Sequence, residues 1–140
     1  MSSNHNTQLS DLLSNSQNTM VFTGAGISTE SGVPDFRSPG TGIWTQDQPL
    51  DFSEFLASEE ARKESWRCKL KIDPLLSLVE PNANHQAIAH LVQTGQVKTI
   101  ITQNIDGLHQ KSGISDAQMI DQYGNKTYCV CLDCGTRHEL

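Results

Sequence analysis

Two short β-forming runs set the frame of this chain. Met20-Val21-Phe22 leads into Gly24-Ala25-Gly26, and Val97-Lys98-Thr99-Ile100-Ile101-Thr102 leads into Gln103-Asn104-Ile105-Asp106. Helical patterns fill the interval between them, which is the alternation expected of an α/β fold. Parallel strands need such a crossover, and in a doubly wound parallel sheet ligands bind beyond the carboxyl ends of the strands. Both polar motifs fall at those ends. Two glycines flanking an alanine let the backbone turn sharply and let a ligand approach it. Ser28 or Thr29 then caps a short helix whose N-terminus favours an anionic group, as a dinucleotide pyrophosphate requires. The usual third glycine is absent at the expected spacing, so an ordinary tight strand–helix turn also fits the Gly-x-Gly alone.

Thr7 to Gln17 carries Leu9, Leu12 and Leu13 at helical spacing and reads as an amphipathic helix packed on the sheet. Ser38 to Pro49 is a loop anchored by Trp44, of a length that suits a lid. Phe52 to Val79 reads as largely helical, a small module inserted near 50–80, with Pro74 starting a helix of its own. Its charge run from Glu59 to Glu64 reads as a solvated face, and Cys68 as an idle or buried thiol. Asn82 or Asn84 caps the next helix, Ala83 to Thr94, and Gly95 ends it. His85 on that helix reads as a group that packs locally or bonds a backbone carbonyl.

The stretch from Val21 to Arg37, VFTGAGISTESGVPDFR, resembles the signature of the sirtuins, the NAD-dependent protein-lysine deacylases. Gln103-Asn104-Ile105-Asp106-Gly107-Leu108-His109 is similar to a second sirtuin motif, and Pro81-Asn82-x-x-His85-x-Ala87-x-Ala89-x-Leu91 to a structural helix of that family. The resemblance implies a partial Rossmann-like NAD-binding part over about 7–128 and the start of a small zinc-binding module over 129–140. It implies roles as well. Asp106 and Ile105 would hold the nicotinamide carboxamide, with Phe36 guarding the exit of the ring. Asn104 would line the ribose pocket and Gln103 would contact the nicotinamide ribose. Arg37 would lie on the phosphate side, with Asp35 beside it, and Gly24, Ala25, Gly26 and Thr29 would cradle the cofactor backbone. The implied activity releases nicotinamide and passes the acyl group of a substrate lysine to ADP-ribose. Positive charge develops at the anomeric carbon, and an amide and a carboxylate nearby, Asn104 and Asp106, would stabilise it.

The general base is where the chain departs from that pattern. Sirtuins carry a histidine as proton acceptor, and Tyr123 stands at the matching place. An ordinary imidazole accepts a proton at neutral pH, whereas an ordinary phenol already holds one. Deacylation is therefore expected to be impaired, with cofactor binding retained.

Cys131 and Cys134 form a C-x2-C pair eight and eleven residues past Tyr123, the sirtuin register for two of four zinc ligands. Two completions stay open: a second cysteine pair further along a longer chain, or a local cluster with Cys129 and His138. The resemblance covers about residues 10–135 and is expected to represent the N-terminal portion of the family domain, leaving an edge strand and apolar surface uncovered.

A net charge of −6 argues against a nucleic-acid surface, and no apolar run approaches membrane length. The polar start, without a cationic region leading into an apolar one, gives the cytoplasm as the expected compartment. The expected partners are NAD and an acyl-lysine protein substrate. A non-catalytic NAD-binding or interaction fragment is the alternative. A dehydrogenase is disfavoured by the glycine spacing and by the lack of a well-placed acidic residue for the ribose.

Overall fold

The computed structural model describes residues 2–35 and 50–140. The chain runs α1 (Ser2–Asn15), β1 (Thr19–Thr23), a 3₁₀ helix (Ala25–Ser31), α2 (Phe52–Ala57), α3 (Glu59–Ser77), α4 (Ala83–Gln93), β2 (Val97–Thr102), α5 (Leu108–Lys111), a 3₁₀ turn (Asp116–Gln118), β3 (Met119–Asp121), β4 (Tyr128–Val130) and β5 (Arg137–Glu139). The expected α/β, Rossmann-like parallel sheet is present. β1, β2 and β3 lie side by side in that order, all parallel. β4 and β5 form a separate antiparallel ribbon.

Register decides which side chains meet. Val21 lies beside Ile100, and Ile100 beside Met119, so this row shares one face. There it packs with Ala89 and Val92 of α4 and with Val97 and Ile114 to make the core. Burying such aliphatic side chains contributes roughly 1.5–3 kcal/mol each. The alternate row, Phe22, Ile101 and Ile120, points to the other face. There Phe22 and Ile120 are exposed, as is Met20.

Asn82 caps α4 as expected: its side-chain oxygen accepts from the N–H groups of Asn84 and His85, while its own N–H donates to His85 Nδ1. Gly95, in the left-handed region at φ +76°, ends the helix. Three expectations fail. α1 does not pack on the sheet, since Leu9 and Leu12 are exposed and only Leu13 is half-buried. Its apolar side chains are too few to outweigh its polar surface. Pro74 does not start a helix but sits inside α3. The capping is done instead at Ser58, whose hydroxyl accepts from Ala61 N–H, and the helix runs on past Pro74 for want of any other breaker. The third failure concerns the glycine turn. Gly24 is extended (φ −134°) and Gly26 has no positive φ, so neither glycine is needed for its backbone angles.

Candidate active site

The site forms where β1 and β2 end side by side. Gly24 is the N-cap of the 3₁₀ helix and offers no side chain to it. This corrects the expectation that Ser28 or Thr29 is the cap: both lie within that helix. Thr29 is exposed and its hydroxyl donates to Gly26 O at 2.9 Å. Gly32, at φ +91°, closes the helix. A Cβ built on Gly26 would meet nothing within 4 Å, and one on Gly24 would lie 3.5 Å from Gln103 Oε1. With the backbone angles ordinary, what these glycines supply is bare main chain open to a neighbour. Ala25 beside them is half-buried. The loop is pinned from behind by α4, where Asn82 Nδ2 donates to Ile27 O at 2.8 Å and Asn84 Nδ2 to Glu30 Oε2 at 3.1 Å.

Ser28 points inward and is fully buried. Its hydroxyl donates to Asp106 Oδ2 at 2.7 Å and accepts from Asn104 Nδ2 at 3.2 Å. Asp106 Oδ1 accepts from Leu108 N–H at 2.9 Å, which fixes the carboxylate at the start of α5. The left-handed Gly107 (φ +74°) lets the chain turn there. Asn104 Nδ2 also donates to Gly24 O at 3.2 Å, so the two strand ends are tied by one side chain. Both of its partners are acceptors, so the amide orientation follows from chemistry. Asn104 Oδ1 is then a buried acceptor without a partner among the described residues. Buried polar atoms are almost always paired, and an exception of this kind points to a ligand donor.

Beneath lies a relay. His109 Nε2 lies 2.9 Å from Thr23 Oγ1, which donates to Thr102 Oγ1 at 2.9 Å; Thr102 Oγ1 also accepts from Asn104 N–H at 3.0 Å. Because the Thr23 hydroxyl is spent on Thr102, His109 is the Nε2–H donor. Its Nδ1 is buried without a partner among the described residues. Burial pushes the His109 pKa down to about 4, the nearby His85 ring adds to the shift, and the Asp106 carboxylate opposes it. The two rings are 5.1 Å apart. His85 is fully buried, and burial lowers its pKa too, against the pull of Asp106. It packs locally against His109, one of the two roles expected of it, and the other, a bond to a backbone carbonyl, is not the one it takes. Its Nδ1 takes the Asn82 N–H, and its Nε2 lies 3.5 Å from Ser28 Oγ.

The structure thus brings together Gly24, Ala25, Gly26, Gln103, Asn104 and Asp106. Gln103 N–H donates to Thr23 O at 3.0 Å. Ile105 is partly exposed beside them. Asp35 is half-buried. Phe36, Arg37 and the Ser38–Pro49 loop lie outside the described residues. Tyr123 follows β3 at 67% exposure, on the same end of the sheet. Sequence reasoning missed Ser28, Thr23, Thr102 and His109 as members of the site. The signal available was polar residues at the ends of two buried parallel strands, where nothing apolar would be expected to compete.

Cys131 and Cys134 lie in the turn joining β4 to β5, where Gly135 N–H donates to Cys131 O. The Thr136 hydroxyl, 3.1 Å away, and the Cys131 thiol hold the Cys134 thiol below its ordinary pKa. All four cysteines are free. Cys129 is the ladder partner of His138, yet among the described residues no three His, Cys, Asp or Glu side chains converge as a metal would need. The local cluster with Cys129 and His138 is therefore not formed. A short antiparallel ribbon fixes those two on facing strands rather than gathering them around its turn.

Comparison with known proteins adds the decisive observation. The model of the Sir2 family matches residues 24–140. The chain belongs to the Sir2 family. It is 48% identical over 133 residues to an NAD-dependent protein deacetylase of Rhodopseudomonas palustris, covering 95% of this chain and 52% of that one. It is 38% identical over 138 residues to the NAD-dependent protein deacylase Sirt4 of Drosophila melanogaster, covering 95% and 44%. This Sir2 chain thus spans about half the length of the curated relatives it matches. Among solved structures, a Sir2 homologue mutant with ADP-ribose superposes at a TM-score of 0.80 with 30% identity, covering 95% of this chain and 52% of that one. A Sir2 histidine-to-tyrosine mutant with a p53 peptide and NAD superposes at 0.75 with 35% identity, covering 96% and 51%.

Proposed function

We propose that this Sir2 chain binds NAD at the ends of β1 and β2 as part of a protein-lysine deacylase, and that Tyr123 leaves its acyl-transfer step impaired. The observation that carries the reading is the buried Asn104 Oδ1, without a partner among the described residues, beside the Ser28–Asp106 bond. That acceptor fits a ribose hydroxyl or a carboxamide N–H. The open main chain at Gly24 and Gly26 fits a phosphate-bearing backbone. When bound, NAD supplies the labile nicotinamide–ribose bond and the acceptor for the acyl group. The chain's own residues do the rest. Asp106 and Asn104 orient the nicotinamide end and oppose the positive charge that develops there. Ser28 holds both in place, and Gln103 lies beside them for the ribose. Asp35, Phe36, Arg37 and Thr29 complete the cofactor contacts in this reading, with Ala25 and Ile105 as walls.

Tyr123 occupies the place of the proton acceptor. Loss of one general base typically costs ~10²- to 10⁴-fold in rate. The solved Sir2 histidine-to-tyrosine mutant with p53 peptide and NAD supports binding of both where a tyrosine has replaced a histidine. The same residue favours the second reading, a non-catalytic NAD-binding or interaction protein. The acyl-lysine substrate is inferred from relatives named deacetylase and deacylase. Cys131 and Cys134 would supply two thiolates of a four-ligand zinc site, on the strength of their C-x2-C spacing. Among the described residues no helix is long and apolar enough to cross a membrane. Four free cysteines support a reducing compartment, and we place the protein in the cytoplasm. Neither nucleic acid nor a membrane is a partner in this reading.

Calorimetric titration of NAD into the chain tests the proposal, with Asp106→Asn as control. Saturable binding that weakens in the control is expected. Nicotinamide release without deacylation supports the impaired enzyme, and binding without either supports the second reading. Absence of NAD binding overturns both.

A further inference from the structure

Thr23 ends β1 and Thr102 ends β2, and the parallel register sets their buried side chains next to each other. Either hydroxyl could donate to the other. The buried ring of His109 decides the direction. Its main chain is firmly held: the carbonyl accepts the Ser112 hydroxyl at 2.7 Å and the N–H groups of Ser112 and Ile114 at 3.2 and 3.3 Å. From that anchor Nε2–H meets Thr23 Oγ1 at 2.9 Å and turns the Thr23 hydroxyl hydrogen toward Thr102 Oγ1, also 2.9 Å away. A hydroxyl oxygen accepts two hydrogen bonds. Thr102 Oγ1 takes one from Thr23 and the other from the Asn104 N–H at 3.0 Å. The row therefore has one direction and ends on the Asn104 main chain. Burial keeps the ring neutral at physiological pH; His85 adds to that effect and Asp106 opposes it. A neutral ring has a single N–H, so its placement on Nε2 leaves Nδ1 bare.

We propose that His109 is a positioning residue for NAD: through Thr23 and Thr102 it sets the place of Asn104 relative to the open main chain of Gly24. The inference rests on the NAD-binding reading and deepens it. In that reading the cofactor meets Gly24 and Gly26 after one strand and Asn104 after the other, so its affinity depends on how the two strand ends are spaced. Gln103 N–H to Thr23 O at 3.0 Å and Asn104 Nδ2 to Gly24 O at 3.2 Å both cross that gap. The Thr23–Thr102 bond crosses it as well, and its direction hangs on His109. With the Asn104 main chain held from below and its amide spent on Gly24 and Ser28, Oδ1 is left facing a ligand donor. The ring acts through Asn104 and not on the cofactor itself.

The test is calorimetric titration of NAD into the full chain and four variants. Thr23→Val keeps the shape of the side chain and strips its hydroxyl, and His109→Phe keeps a ring and strips its donor. Each is expected to weaken NAD binding ~3- to 10-fold, about the worth of one neutral hydrogen bond. Thr23→Ser restores the hydroxyl and is expected to keep the parent affinity. Val97→Ala truncates a core side chain at the far end of β2; it is expected to lower stability and leave NAD affinity unchanged. Parent affinity in Thr23→Val and His109→Phe overturns the proposal. So does an equal fall in Val97→Ala, which would make the effect one of general stability. The ¹⁵N shifts of the His109 ring in the parent chain need no variant: a protonated Nε2 and a bare Nδ1 are expected, and the opposite tautomer overturns the relay. If the parent chain binds no NAD, the cofactor reading falls. The ring shifts, with the Asn104 backbone amide expected to move in Thr23→Val, then still decide whether the relay holds Asn104.

Discussion

Ser28→Ala is the substitution that probes the site most economically. Ser28 is fully buried and its hydroxyl serves two partners at once, donating to Asp106 at 2.7 Å and accepting from Asn104 at 3.2 Å. A hydrogen bond to a charged group contributes roughly 1.5–3 kcal/mol, and one between neutral groups roughly 0.5–1.5. Asn104 keeps its bond to Gly24, and Asp106 keeps its bond to Leu108, so neither is stripped bare. The expected loss is therefore about 2–4 kcal/mol, a large part of the marginal stability of a small domain. Urea unfolding at neutral pH reads it directly. With a slope of ~1–3 kcal/mol per molar, the midpoint should fall by about 0.7–4 M without a change of slope. A double-mutant cycle with Asp106→Asn should show coupling of at least ~1 kcal/mol, because the two side chains touch. A midpoint shift below ~0.3 M, or no coupling, would refute the claim that Ser28 holds the carboxylate in place.

Three further outcomes follow from the same structure. His109 titrates near 4 when folded and near 6.5 when unfolded, so the unfolded chain binds more protons between these values. Its contribution is complete above pH 6.5 and is lost as the pH falls toward 4, by at most about 3.5 kcal/mol; His109→Gln should flatten that part of a stability–pH curve, and an unchanged curve would refute the assignment. Pro74 cannot donate to the carbonyl one turn back, so Pro74→Ala should raise the urea midpoint by the equivalent of at least ~1 kcal/mol, and a lowered midpoint would show that the proline is not a local cost to α3. Tyr123 is exposed, so Tyr123→His should leave stability within ~0.5 kcal/mol. With the remaining half of the Rhodopseudomonas relative fused to the chain, the same change should raise deacylation ~10²- to 10⁴-fold, and an equal rate would remove Tyr123 from the mechanism.

The sheet was legible because its two long strands are short apolar runs with clear punctuation. Val97–Thr102 has the bounds expected of it. Gly95 was legible as the end of α4 and Asn82 or Asn84 as its start, because cap chemistry is local; the structure selects Asn82. What could not be read was which polar residues turn inward. Ser28, Thr23, Thr102 and His109 meet only because β1 and β2 adopt one register, and register is a tertiary property. Pro74 misled because proline usually marks a first turn, whereas packing and a strong cap at Ser58 carry α3 through it. The glycines were read incorrectly as making the turn, because their number and spacing do not reveal φ.

The central claim is that Asn104 Oδ1 and the bare main chain of Gly24 and Gly26 await the cofactor. Two-dimensional NMR of the ¹⁵N-labelled chain during titration with NAD tests this most directly. The account predicts saturable shifts at the Gly24, Gly26 and Asn104 backbone amides and at the Asn104 side-chain amide, with Leu9 and Leu12 of α1 unmoved. Saturable shifts confined to other parts of the chain, or none at all, would contradict it.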